Sequence, residues 1–522
     1  MNVAEMLARN ARMYPDDTAL IELRPSKNVR NEISWKEFDE RANRTANALI
    51  ARGIRKGDKV IHWMMNSINW LEAYFGILRT GAWVVPLNFR FTSRDLEYCA
   101  AIAEAKVMVL GEEFVERVEA VRPKLATVKD YIFVGQTVPK GMKDFEALVD
   151  RASSKPPGVT LNDEDACGLY FTSGTTGAPK PILLIHKNME CAAITENIGH
   201  YIKHEDNFIL IPPLYHTGAK MHWFGSLIVG GRATILTEMS PKNLFDAVHK
   251  ERGTVVFLLV PWAQDILGAL DRGELKKEDY DLSCWRLIHM GAQPIPPSVV
   301  KHWKEYFPDM QYDTTYGLSE STGPGCVHLG IENEHKVGAI GKAGFNWKTR
   351  IVNEKGKDIA QGEIGELVVR GNGVMKEYYK NPEKTQETLK DGWLYTGDMA
   401  KTDKEGFIYL VDRKKDVVIT GGENIYPVEV EQVLQSHPKI YDVGVIGVPD
   451  ERLGEVVAAV IDPKPGMTLT EEEINEFCEQ NLPRYKRPRR IFFDKVPRNP
   501  TGKIEKPKLR EKFAGYKESF RI

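Results

Sequence analysis

The stretch Thr172–Lys180, TSGTTGAPK, places two glycines, four hydroxyl side chains and one lysine within nine positions. Glycine lets backbone N–H groups approach an anion closely, hydroxyls donate hydrogen bonds, and lysine adds a point charge. That composition suits a loop that holds phosphates. It is not the P-loop, whose glycines are spaced differently and whose lysine precedes Ser or Thr; here Pro181 follows Lys180. A polar surface loop rich in Ser, Thr and Gly is the competing reading.

Four further segments carry reactive side chains. In TTYGLSE, Thr314–Glu320, the carboxylate of Glu320 could hold Mg²⁺, the usual neutraliser of phosphate charge, and Ser319 could bond a phosphate oxygen. An exposed glutamate after a turn would look the same. GWLYTGD ends in Asp398, which could accept bonds from two ribose hydroxyls or simply serve a turn. The fourth segment, DRKKDVVITGGENIYPVEVE, starts at Asp412 and holds a Gly421–Gly422 pair, which an ordinary turn would also explain. The fifth, PRNPTGKIEK, sets Lys503 directly after Gly502 near the chain end, where an isolated lysine is ordinarily a solvated surface charge.

The elements that must position these groups are legible in the pattern of apolar residues. SWKEFDERANRTANALIARG carries Trp35, Phe38, Ala42, Ala46, Leu49 and Ile50 at helical spacing, with Ser34 and Glu37 as a capping box and Gly53 at the stop. Strand candidates DKVIHWMM, AWVVPLN, AKVMVLG, KDYIFVG and ACGLYFTSG alternate with helical stretches such as NWLEAYFGILRTG. DNFILIPPLYH, GRATILTE, VVFLLVP and WRLIHMGAQPI continue the rhythm. It predicts parallel sheets covered by helices, with VVFLLVP a buried parallel strand. From about Lys342 the alternating, Gly-punctuated WKTRIVNEKGKDIAQGEIGELVVRG predicts a small antiparallel unit. GFIYLVDRKKDVVITGG reads as a hairpin at a boundary. Beyond it lies enough helix and strand pattern for a separate α+β domain ending in a basic tail. The expected fold is α/β, with an N-terminal domain over 1–411 and a smaller C-terminal domain over 412–522.

A chain of 522 residues exceeds one hydrophobic core. With 71 basic and 73 acidic side chains, nothing points to a nucleic-acid partner or an acidic tail. Six scattered cysteines form no metal-binding pair and no disulfide framework, and read as reduced thiols of a cytoplasmic protein. No run is long enough to span a bilayer. The first residues show no signal-peptide core and read as a short helix with Met6, Leu7 and Met13 partly inward.

Taken in order, the five segments resemble those of the adenylate-forming superfamily, which includes acyl-CoA synthetases, firefly-type luciferases and peptide-synthetase adenylation domains. The likeness runs nearly end to end, through GIRKGDKV and GILRTGAWVVPLN as well as the motifs, and is that of a stand-alone acyl-CoA synthetase. The resemblance implies an AMP-forming acid–CoA ligase that uses ATP with Mg²⁺ and CoA.

It also implies roles. Thr172, Ser173, Gly174, Thr175, Thr176, Gly177 and Lys180 would grip the β- and γ-phosphates. Gly291, Ala292 and Gln293 would line the adenine. Thr315, Tyr316, Gly317, Leu318 and Ser319 would pack on the nucleotide, with Mg²⁺ on Glu320. Asp398 and Arg413 would reach the ribose, and Asp412 would be the hinge of the small domain. Lys503 would bridge carboxylate and α-phosphate. Gly421, Gly422 and Glu423 would meet the pantetheine of CoA. His216, Trp223 and Gly317 would border the acyl pocket. Pro181, where the family commonly has glycine, removes a backbone donor at the loop's exit.

The residue types fit that chemistry. A carboxylate attacking an α-phosphate brings two anions together, and cations at the reacting centre offset their repulsion. The aromatic content around His216 favours a compact hydrophobic acid, aromatic or alicyclic, or a medium-chain fatty acid, with Lys220 and His222 facing solvent. Loading of a carrier protein and non-catalytic nucleotide binding are the alternatives, and a homodimer is the family-level expectation.

Overall fold

The computed structural model describes residues 1–172, 179–291, 295–499 and 502–513. Two large sheets dominate. In the first, six parallel strands run in the order Gln311–Leu318, Leu287–Gly291, Val255–Leu259, Asn207–Leu210, Arg232–Leu236 and Thr18–Arg24. Antiparallel strands close both edges, so the sheet has nine. The second sheet has eight strands; its parallel part runs from Ala166–Thr172 through Trp83–Pro86, Lys59–Trp63, Val107–Gly111 and Asp130–Val134 to Lys143–Asp144. VVFLLVP is the expected buried parallel strand, with all of Val255–Leu259 inside.

Helices fill the space between the sheets. Ile68–Arg79 is apolar nearly all round and buried at every position but Asn69, as a helix sandwiched between two layers must be. It shares one core with residues of both sheets, among them Val60, Val84, Phe208 and Val255. Trp35–Ala51 starts as its sequence requires: Ser34 Oγ accepts the Glu37 N–H at 3.2 Å and Glu37 Oε2 accepts the Ser34 N–H at 2.8 Å. In the amino-terminal helix Val3–Met13, Met6 and Leu7 are buried as expected but Met13 is exposed, because it ends the helix on the outer side.

A third, antiparallel sheet joins Trp347–Val352, Gly365–Gly371, Trp393–Thr402, Leu389–Lys390 and Ile408–Arg413. The hairpin expected over GFIYLVDRKKDVVITGG does not form. Ile408–Arg413 pairs within the third sheet, whereas Val418–Thr420 pairs with Glu423–Ile425 and Gly454–Pro463 in a fourth. The chain therefore changes body between Arg413 and Val418. The fourth sheet, with helices Pro427–Gln435, Glu471–Asn481 and Lys506–Phe513, is the small α+β C-terminal domain. The expected basic tail is instead structured. Arg490–Phe493 pairs parallel to Gly454–Pro463, and Leu509 and Phe513 of the last helix are buried in one core with Ile446, Val448 and Val460 of the fourth sheet.

The first and third sheets are tied at Gly341, whose carbonyl accepts the Ile408 N–H at 2.7 Å. Gly341 has φ +106°, and a Cβ there would stand 1.7 Å from the His328 carbonyl oxygen. Gly341→Ala should therefore destabilise the large domain by on the order of 3 kcal/mol or more, read as a fall in the urea midpoint. An unchanged midpoint would contradict the tight junction.

Candidate functional site

A cavity of 1240 Å³ opens where the three sheets of the large domain meet the small domain. Its walls come from strand ends. Ala166–Thr172 pairs antiparallel with Lys180–Ile185, and Thr172 faces Lys180 in register, so both residues stand at the cavity rim. Pro181 pairs with Phe171 and turns its carbonyl outward to accept the Tyr379 N–H at 2.8 Å. A strand residue points its N–H and C=O to the same side, so the donor missing at Pro181 lies on the Tyr379 side and not toward the strand that leads into the loop.

The strand Gln311–Leu318 delivers Thr315, Tyr316, Gly317 and Leu318 to the cavity, and the turn after it delivers Ser319 and Glu320. Glu320 Oε1 accepts the Tyr378 hydroxyl at 2.7 Å, and Ser319 Oγ accepts that of Thr217 at 3.3 Å. Across the cavity Asp398 and Arg413 are register partners on adjacent antiparallel strands. Arg413 Nε stands 2.9 Å from Asp398 Oδ1, and the Tyr316 hydroxyl donates to Asp398 Oδ2 at 2.5 Å. Asp398 is thus a buried, paired carboxylate and not an exposed turn residue.

The small domain contributes Lys503. Gly502 before it packs against Leu259 and Pro261 of the large domain, a Cβ there meeting them at 3.6 Å. The Lys503 N–H donates to Asn499 Oδ1 at 2.9 Å. Burial and the neighbouring Arg413 guanidinium push the Lys503 ammonium down to about 8, against the opposing pull of Asp398 and Glu320. Asp412 lines the same cavity and is buried, its Oδ2 accepting the Val428 N–H at 2.8 Å and its Oδ1 the Arg413 N–H at 2.6 Å. Burial raises its carboxyl to about 6.

The other sequence-derived candidates divide. Gly291 and His216 line the cavity. Gly421, Gly422 and Glu423 form an exposed turn outside it. Ser173, Gly174, Thr175, Thr176, Gly177, Ala292 and Gln293 lie outside the described residues. Trp223 is fully buried, 6.3 Å from Phe75 ring to ring, and does not reach the cavity. Its neighbours Lys220 and His222 are buried too, against the expectation of solvent exposure. His222 lines the cavity, whereas the Lys220 ammonium sits over the Tyr170 ring at 4.4 Å and donates to the Leu214 carbonyl. The helix Thr217–Val229 is buried on all sides, so its sequence has no polar face from which those directions could be read. Tyr378, which holds Glu320, was also missed: it lies 58 residues away in sequence and carries no motif of its own.

Comparison with known proteins then decides the family. The family described as AMP-binding enzyme matches residues 7–379, and its C-terminal domain, AMP-binding enzyme C-terminal domain, matches 429–503. The chain belongs to the AMP-binding enzyme family. Relatives include a feruloyl-CoA synthase of Amycolatopsis sp, 33% identical over 97% of this chain and 98% of that one. Another is the 3-[(3aS,4S,7aS)-7a-methyl-1,5-dioxo-octahydro-1H-inden-4-yl]propanoyl:CoA ligase of Rhodococcus jostii (strain RHA1), 32% identical over 97% of each. Among solved structures, the anthranilate CoA ligase AuaEII with anthranoyl-AMP superposes with a TM-score of 0.90 at 26% identity, over 98% of this chain and 97% of that one. The chain is an adenylate-forming acid–CoA ligase of the AMP-forming type.

Within this enzyme the electrostatics of His216 are well defined. Its Nδ1 accepts the Gly218 N–H at 3.1 Å, capping the helix, which leaves the proton on Nε2. Burial first, then the charge of Lys503, holds its pKa down to about 3. Nitrogen-15 NMR of histidine-labelled protein, assigned by His216→Gln, should show one neutral tautomer from about pH 5 to about pH 8; a midpoint near the ordinary value of about 6.5 would contradict this.

Proposed function

We propose that the enzyme activates a compact hydrophobic acid, aromatic, alicyclic or of medium chain length, as its adenylate and passes the acyl group to CoA. The observation that carries this reading is the meeting of Lys503, from the small domain, with Asp398, Arg413 and Glu320 in one cavity. Asp398 presents carboxylate oxygens suited to ribose hydroxyls, with Arg413 beside it. Thr172 and Lys180 flank the loop for the β- and γ-phosphates. Lys503 stands where it can neutralise both the attacking carboxylate and the α-phosphate.

Glu320 fits a Mg²⁺ ligand: one oxygen is tied to Tyr378, and a single carboxylate that shares the ion with phosphates is the usual Mg²⁺ arrangement. Bound there, the ion supplies charge neutralisation to the departing pyrophosphate. The acyl end of the cavity is walled by Tyr215, His216, His222, Phe257 and Tyr312, which suits a ring better than a long flexible chain.

In the second step the thiol of CoA displaces AMP at the acyl carbonyl, and Lys503 is no longer required. With Lys503 inside the cavity and Gly421–Gly422 outside it, the arrangement suits the first step, and rotation about Asp412, the boundary between domains 1–411 and 412–522, would exchange the two. Such an enzyme, fed by ATP and CoA, fits a cytoplasmic setting.

Purified protein given ATP, Mg²⁺, CoA and a panel of carboxylic acids should release pyrophosphate fastest with ring-bearing acids. Absence of both pyrophosphate and acyl-AMP across the panel overturns the reading, and acyl-AMP that CoA does not consume favours loading of a carrier protein. Lys503→Ala should lower adenylation by about 10²-fold or more while sparing thioester formation from supplied acyl-adenylate; equal loss of both half-reactions would sink the domain exchange. Because the free-enzyme Lys503 titrates near 8, its ammonium is lost as pH rises, so kcat/KM for adenylation should fall above about pH 8.

A further inference from the structure

Behind the acyl end of the cavity five elements bring together a second constellation that adenylation does not use. Glu196 and His200 lie one turn apart on the helix His186–His200. His222 comes from the helix Thr217–Val229, and His289, Asp313 and His328 from three neighbouring strands. All six side chains are buried, four of them completely.

The polar atoms are arranged in two tiers. In the inner tier, Glu196, His200 and His289 offer ligand atoms that all lie within 4.8 Å of one another. His200 Nδ1 is 3.3 Å from Glu196 Oε2, and His328 Nε2 is 3.6 Å from Glu196 Oε1. Ligand atoms placed tetrahedrally about zinc at about 2.0–2.2 Å stand roughly 3.3–3.6 Å apart, so these separations are of coordination size. In the outer tier the far end of each inner group meets a partner or a carboxylate. His222 Nδ1 is bonded to Glu196 Oε2 at 2.8 Å, His289 Nε2 to Thr315 Oγ1 at 3.1 Å, and His200 Nε2 lies 2.9 Å from Asp313 Oδ2. His328 Nδ1 faces the same Asp313 oxygen at 3.7 Å. Asp313 is itself fixed, its Oδ1 accepting the N–H groups of Thr314 and Gly330.

Seven buried polar atoms of the cluster have no hydrogen-bond partner: Glu196 Oε1, both ring nitrogens of His200 and of His328, His289 Nδ1 and Asp313 Oδ2. Unpaired buried polar groups are costly, and here Glu196 Oε1, His200 Nδ1 and His289 Nδ1 belong to the three residues whose ligand atoms cluster. Metal-binding histidines ordinarily donate their other ring N–H to a carboxylate or another acceptor, which is the outer tier seen here. We propose that Glu196, His200 and His289 form a structural site for a first-row divalent metal ion, zinc by its nitrogen-rich donor set, with Asp313, His222 and Thr315 orienting the ligands. The site is separate from Glu320 and from the nucleotide, and it stiffens the floor of the acyl pocket through His222.

Elemental analysis by inductively coupled plasma mass spectrometry of the full-length protein, expressed with zinc and passed through gel filtration, should find about one zinc per chain. Stripping with a strong chelator should lower the thermal midpoint, and Zn²⁺ but not Mg²⁺ should restore it. Stripped protein refilled with Co²⁺ should show the intense visible absorption of a tetrahedral cobalt centre. Glu196→Gln and His289→Gln should reduce zinc content to about a tenth or less; should those variants fail to fold, the wild-type stoichiometry and cobalt spectrum decide alone. Wild-type protein that carries no stoichiometric metal, takes up neither Zn²⁺ nor Co²⁺, or keeps full zinc in the Glu196→Gln variant overturns the proposal. None of these readouts depends on catalytic activity.

Discussion

The pair formed by Asp398 and Arg413 fixes the geometry on which the cavity depends. The two residues sit opposite each other on antiparallel strands, so their side chains emerge on one face and meet without either strand having to bend. The same carboxylate receives the hydroxyl of Tyr316 from the nine-stranded sheet. One buried anion thereby locks the third sheet against the first, at the line where the cavity opens. A buried carboxylate is tolerable only when it is paired and hydrogen-bonded, and here both oxygens are engaged. Arg413 also follows Asp412, whose carboxylate takes the N–H of Val428 at the start of the small domain's first helix. Two consecutive residues therefore define both the wall of the cavity and the point where the chain leaves it.

The lysine at the centre of the cavity is placed from the other side. Lys503 sits in a turn of the small domain, and its backbone is carried to the large domain by the contact of Gly502 with Leu259 and Pro261. The last helix is anchored beneath it by Lys506 on Glu431 at 2.9 Å and Arg510 on Asp416 at 2.7 Å. Lys503 then meets one cation and two anions. Burial and Arg413 disfavour its charge, and Asp398 and Glu320 favour it. A lysine balanced in this way responds to the arrival of further anions: each phosphate or carboxylate that enters adds to the favourable side, so the ammonium is most firmly established when both reactants are present.

What the sequence made legible was local or contiguous. The capping box at Ser34 and Glu37 is a three-residue signal, and it formed as written. The alternation of strand and helix patterns led to the two parallel sheets, because each strand buried on both faces is itself an apolar run. What stayed hidden depended on distant partners. The residues after Lys486 are so rich in charge that they look like a solvated tail. They fold because Arg490–Phe493 finds a parallel neighbour 32 residues back and Lys506 finds Glu431. The apparent hairpin after Gly406 failed for a related reason: its two halves pair with different sheets, and nothing within the segment records that. Trp223 went astray because a helix buried all round offers no stripe from which to infer direction.

Lys220 shows why direction matters for substrate choice. A lysine among the residues after His216 would, if it faced the acyl group, argue for an anionic or strongly polar acid. It does not face the cavity. Its ammonium lies behind Tyr170, over the ring face, with Tyr74 also within 5.4 Å. Burial pushes its pKa well below the usual lysine value, and its Nζ donates to the Leu214 carbonyl. The wall presented to a substrate on this side is therefore the ring of Tyr170, not the charge behind it. With Phe257, Tyr312, His216 and His222 also on the wall, the cavity offers flat aromatic faces and two imidazole rings, that of His222 tethered to Glu196.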